Sequence, residues 1–181
     1  GMSRYRRPGV RVSCADKAGN SNIRTGAGAG TVCSNPPMVS ISVRPERYSY
    51  AMLQETGEFV INLTTQKLAF ATDLCGVKSG RDTDKWKEAH LTPVPGKAVK
   101  APLIKESPVS LECRVRQAMA LGSHTMFVAE VVSVSVDEAY LDKNNRFHLE
   151  KADPICYSHG MYFALGKAIG KFGYSVAKKK K

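Results

Sequence analysis

Two runs of alternating hydrophobic and polar residues flank a short helical stretch, and the rest of the chain reads outward from them. From Met38 to Val43 the side chains of Val39, Ile41 and Val43 fall on one face of an extended strand, with Ser40 and Ser42 on the other. After Gly57 the period returns, with Phe59, Ile61 and Leu63 on one face and Asn62 opposite. Between the two strands, Ser49 is the expected N-cap of a helix that ends near Gly57.

The same pattern extends along the chain. Val10 to Cys14 predicts a short strand, interrupted by Arg11, and Asp16 to Asn20 has the residues of a turn. The return, Ser21 to Cys33, is one strand weakened by Gly26, Gly28 and Gly30. Gln66 to Cys75 predicts a helix with Leu68, Ala71 and Leu74 or Cys75 on one face. A second short helix carries Lys85, Trp86 and His90 and is capped by Asp82 or Thr83. Leu91 to Pro108 holds four prolines and reads as an extended connection across the surface. Val109 to Val115 then alternates inward, with Ser110, Glu112, Arg114 and Arg116 outward, and pairs with a strand over His124 to Val136. Leu165 and Ile169 indicate a loosely helical end. Many short strands and few helices predict a mainly β barrel. One domain over 10–176 is expected, between an irregular arm at 1–9 and a basic tail at 177–181.

Composition narrows the class. The 181 residues are 43% hydrophobic and 24% charged, ordinary for a globular chain with its own core. No apolar run has the length of a membrane span and no signal peptide is evident, so the cytoplasm is the expected setting. Gly1 before Met2 reads as a tag scar. The five cysteines form no CxxC pair, which argues against zinc or a disulfide framework, and no metal is expected. The net charge of +11 includes the terminal lysines 178–181, and the remainder is spread without interleaved aromatics. That distribution disfavours a nucleic-acid partner and suits a small phosphorylated ligand.

Candidate chemistry gathers at two turn-to-helix junctions. Arg44 and Arg47 precede Ser49 at the first, and Lys78, Arg81 and Lys85 surround the second. Free helix N–H groups beside arginines form an anion site. The same residues also fit a capped helix with solvated side chains, and the local pattern alone does not separate the two readings. The glycines of RTGAGAGT lack the spacing and the following helix of a dinucleotide loop.

The runs GTVCSNPPMVSISVRPERYSY, TGEFVINL, LAFATDLCGVKSGRDTDKWKE, APLIKESPVSLECRV, LGSHTMFVAEVVSVSVDE and ICYSHGMYFALGKAIGKFGYSV together resemble the flavin reductase-like family, and within it the flavoredoxin branch of the FMN-binding split barrels. The resemblance covers residues 31 to 176. It implies a split β-barrel with a few short helices, homodimeric, holding FMN near the subunit interface and fed by NADH, NADPH or a redox protein. On the matched positions, Val43, Arg44, Arg47 and Ser49 belong to the turn holding the phosphate and ribityl chain, and Lys85 faces the phosphate. Cys75, Gly76 and Ser79 lie along the cofactor; Thr31, Cys33 and Ser34 border its ring; Asn62, Leu63 and Thr64 form a strand end beside it. Tyr157 stands where relatives place an aromatic ring over the flavin, and the neighbouring His159 is either a proton donor or a structural histidine. Cys33 and Cys75 are redox thiols or small packing residues. The chain departs from the family pattern at Gly28, in place of a tryptophan, and at Arg24, in place of an apolar residue. Either the ring wall is weakened there, or another aromatic or the dimer mate fills it. The implied function is an FMN-dependent oxidoreductase; the alternative is a non-catalytic binding module on the same barrel.

Overall fold

A computed structural model describes residues 7–26 and 28–177. Its strands and helices follow one another as β1 (Arg7–Pro8), β2 (Val10–Ala15), β3 (Ser21–Gly26), β4 (Ala29–Ser34), β5 (Pro37–Val43), α1 (Tyr48–Thr56) and β6 (Glu58–Leu63). Then come α2 (Ala69–Val77), α3 (Lys85–Glu88), β7 (Pro93–Val94), β8 (Leu103–Ile104), β9 (Val109–Ala120), β10 (Thr125–Val136), β11 (Ile155–Ser158) and β12 (Met161–Ala164). Seven strands form one antiparallel sheet in the order β3-β2-β6-β9-β10-β5-β4. A smaller sheet, β1-β11-β12, sits at the end of β6, where Ile155 N–H donates to Thr64 O. Among the described residues, no helix is long and apolar enough to cross a membrane.

Sequence distance forces the large sheet to curl. β3 and β4 lie at its opposite edges, yet only residues 27 and 28 separate them in the chain. Seven strands laid flat span about 29 Å, whereas the link reaches at most about 10 Å. The edges must therefore approach each other, and the sheet closes into a barrel with a seam between β3 and the β4–β5 pair. Ser42 N–H donates to Gly28 O at 3.2 Å, which carries the β4–β5 ladder into the link itself.

The barrel interior holds Val10, Val12, Cys14, Ile41, Val43, Phe59, Ile61, Cys113, Phe127 and Ala129, and Met52 and Leu53 of α1 plug one end. The inward faces expected for β5, β6 and β9 are present, with Ile41, Val43, Phe59, Ile61 and Cys113 in the interior. α1 ends as expected at Gly57, whose φ of 64° is the left-handed turn that glycine tolerates best.

Several elements differ from expectation. The glycine-rich return is two strands, β3 and β4, because the chain must cross the seam. Ser110 and Glu112, expected to face solvent, are buried, as is Arg11. The cause is the 91–108 segment: instead of running over the surface, it pairs as β7–β8 and packs Val99, Ala101 and Leu103 on Val60. Glu112 Oε2 accepts the N–H groups of Ala98 (2.7 Å) and Val99 (3.0 Å), which fixes that cover. Two residues of the expected irregular arm, Arg7 and Pro8, pair with Tyr157 and Cys156; residues 1–6 and the lysines 178–181 lie outside the described residues. No helix forms at Leu165–Ile169, where both side chains are exposed and Gly166 and Gly170 disfavour one.

Candidate functional site

A cavity of about 220 Å³ opens where β3, the start of α1, the loop after α2 and α3 meet. It collects both junctions identified in the sequence: Arg47 and Ser49 from the first, and Cys75, Gly76, Ser79 and Lys85 from the second. Arg24 joins them from the inward face of β3, where it pairs with Val12.

The chain forms this cavity for local reasons. Arg47, not Ser49, is the N-cap of α1, with extended backbone and no side-chain cap. Ser49 stands inside the first turn, almost fully buried, and its Oγ accepts from Asn22 Nδ2 at 2.8 Å. That bond keeps the hydroxyl hydrogen free to donate, and the first N–H groups of the helix remain uncapped. Lys85 is buried, and its Nζ donates to Ile23 O at 2.8 Å and Cys75 O at 3.0 Å. Two of its three protons are thereby fixed, leaving one for a ligand. The short helix carrying it is capped by Asp84, whose carboxylate accepts from Lys87 N–H at 3.2 Å, rather than by Asp82 or Thr83.

The electrostatics are one-sided. Burial, and then the nearby Arg47, lower the pKa of Arg24. Burial also lowers Lys85, only partly opposed by Cys75, while Arg24 and Arg47 push it further down. Lys78 and Arg81 add charge at the rim. Glu46 is the one carboxylate on the wall, and its Oε1 lies 3.5 Å from Arg44 Nη1. Cations held against cations, with the exposed Glu46 as their single carboxylate neighbour on the wall, constitute a site for an anion carrying more than one charge.

The other expected residues lie elsewhere. Arg44 is exposed and is not part of the cavity wall, which it meets only through Glu46. Val43 and Leu63 pack with the barrel core, so their side chains do not face the cavity. Asn62 is fully buried: its amide donates to Ser13 Oγ and Arg11 O and accepts from Ile104 N–H and Ser110 Oγ. Thr64 Oγ1 donates to Gly9 O. Thr31, Cys33 and Ser34 line a separate apolar groove with Val39, Leu111 and Val131. Tyr157 and Tyr162, their ring centres 5.3 Å apart, wall a cleft that shares Thr25 and Gly76 with the cation-lined cavity. His159 sits on the exposed turn beyond, with φ of 49° and Nδ1 2.9 Å from Ser158 Oγ. Asn22, Thr25 and Tyr48 were not expected at the site; the only available signal was that Asn22 and Arg24 share a face at strand period two.

The flavin reductase-like domain model matches residues 2–166. The chain belongs to the flavin reductase-like family. An uncharacterized protein of Aquifex aeolicus is 30% identical over 91% of the chain and 86% of its own length. Among solved structures, flavoredoxin of Desulfovibrio vulgaris (Miyazaki F) superposes with a TM-score of 0.90 at 31% identity, covering 98% of this chain and 96% of the other. A flavoredoxin from Methanosarcina acetivorans reaches 0.87 at 27% identity, covering 98% and 97%. This flavin reductase-like chain thus has the split-barrel fold expected for it, with few helices and close likeness to the flavoredoxins.

Proposed function

We propose that this chain is an FMN-dependent oxidoreductase that takes electrons from NADH, NADPH or a redox protein and works as a homodimer, in the cytoplasm. The observation that carries this reading is the convergence of Arg24, Arg47 and Lys85, outnumbering the single wall carboxylate of Glu46, at the uncapped start of α1. A phosphate monoester dianion matches that donor set, each charge-assisted bond contributing about 1.5–3 kcal/mol before solvent screening. The family membership and the flavoredoxin likeness support a flavin as the phosphate's carrier. When bound, FMN supplies a ring that accepts hydride at N5 and passes electrons on.

The chain's own groups do the positioning. Ser49 Oγ and the first N–H groups of α1 would donate to a bound phosphate, and Lys85 would contribute its remaining proton. Thr25 and Gly76 lead from the phosphate end to the cleft of Tyr157, which offers an aromatic face to the ring. Thr31, Cys33 and Ser34, on their separate apolar groove, belong in this reading to the face that meets a second copy.

Titrating the protein with FMN and following flavin fluorescence tests the assignment. Ser49→Ala and Lys85→Ala are each expected to weaken binding by about tenfold, or about 1.4 kcal/mol. No binding by the wild-type chain at saturating FMN would sink the proposal. Oxidation of NADH and NADPH with FMN, FAD or riboflavin then identifies the donor.

A further inference from the structure

The phosphate cavity continues past its cations. Asn22, Tyr48, Gly80, Arg81 and Lys85 also wall a second cavity of about 400 Å³ that opens toward α3. Gly80 is wedged at the junction: a Cβ there would lie 2.2 Å from Asn22 Oδ1 and 2.9 Å from the Tyr48 ring. The loop is therefore seated directly on β3 and α1, and it carries Arg81 at the edge common to both cavities. Arg81 forms no ion pair among the described residues.

Three kinds of recognition chemistry adjoin one another in this second cavity. Arg81 supplies a cation. Tyr48 and Trp86 supply aromatic surface, and Trp86 is held in place by its Nε1, which donates to Ser21 Oγ at 3.0 Å. Asp82 and Asp84 supply carboxylate acceptors, Asp84 using only Oδ1 for its helix. A phosphate calls for the first, a purine for the second and a ribose diol for the third. We propose that this second cavity is an adenylate subsite, taking the adenosine 5′-phosphate half of a dinucleotide whose other half occupies the flavin site or faces it. The inference rests on the flavin reading for the identity of the neighbouring cavity. Two dinucleotides carry this half: FAD and the pyridine nucleotide donor. In the second case the carboxylates accept from a free ribose diol and repel a 2′-phosphate, favouring NADH over NADPH.

Trp86 is the only tryptophan of the chain, so its emission reports on this cavity directly. Titration of the full chain with AMP is expected to give a saturable change in that emission. By calorimetry, Arg81→Ala and Asp82→Ala are each expected to weaken AMP by about fivefold or more, and by a larger factor than they weaken FMN. If the half belongs to the donor, AMP binds FMN-saturated protein and NADH displaces it. If it belongs to the flavin, FAD binds more tightly than FMN and displaces AMP. Absence of a saturable response, an unchanged AMP affinity in both variants, or displacement of AMP by FMN alone would overturn the subsite. FMN binding without AMP binding removes this inference and leaves the flavin reading; AMP binding without FMN binding does the reverse.

Discussion

Arg11 is wholly buried in β2, and none of its three guanidinium nitrogens is hydrogen-bonded among the described residues. Burial lowers its pKa to about 10, against weaker opposition from Cys75 and Glu106. An unsatisfied buried donor costs about 1–3 kcal/mol and a charged one more, so Arg11→Met is expected to stabilise the fold by about that amount in urea unfolding. A loss of stability would show that the guanidinium has a partner in solution. The thiols give a second prediction. Burial raises Cys14 to about 11 and Cys113 to about 12 and raises Cys75 as well, whereas Cys33 and Cys156 are part-exposed. A thiol reagent at pH 8 should label Cys156 rapidly in the native protein, Cys33 more slowly because the second copy covers its groove, and the other three only on unfolding. At this scale the sequence was legible wherever side-chain direction follows strand period, as for Phe59 and Ile61. It was not legible for Arg11, whose burial is imposed by chain far away in sequence.

Among the elements, the segment between β10 and β11 is tied by a charge cluster. His148 Nε2 lies 2.9 Å from Asp142 Oδ2, and its Nδ1 lies 2.7 Å from Glu150 Oε1. The bonds to Asp142 and then Glu150 raise the histidine pKa above its usual 6.5, and the same histidine, with the N–H groups of Arg146 and Asn144, holds Asp142 at about 2. A raised histidine stabilises fully below its unfolded pKa and loses that contribution as pH climbs through the folded value. A depressed aspartate stabilises above its unfolded pKa and loses that contribution as pH falls toward 2. The segment is therefore expected to be best ordered between about pH 4 and 6.5, and a His148 NMR titration with a midpoint at or below 6.5 would contradict it. Strand spacing announced β5, β6 and β9, and the hairpin after β9, with the β-branched residues that follow it, announced β10. The break between β3 and β4 was hidden because a glycine-rich run has no side-chain period to lose. Ser49 read as a cap because its type suits one, but the bond it makes is to Asn22, on a strand no local pattern could place beside it.

For the whole molecule, the apolar groove of β4, β5 and β10, with Val32 and Val134 more than half exposed nearby, is the expected contact with a second copy. Sedimentation should give twice the chain mass, and Val134→Lys should shift it toward the monomer. The cation-lined cavity has a wider consequence. Its walls come from β3, one edge of the sheet, and from the start of α1, which follows β5 beside the other edge. An anion bound there bridges the two sides of the seam, so ligand affinity and barrel closure are thermodynamically linked. FMN at a hundred times its dissociation constant adds about 2.7 kcal/mol to the closed form. Hydrogen exchange along β3 and β4 should slow in proportion to that occupancy, while β6 and β9 in the middle of the sheet change least. The cofactor would then act as a stitch, and the empty protein would breathe where the strands meet.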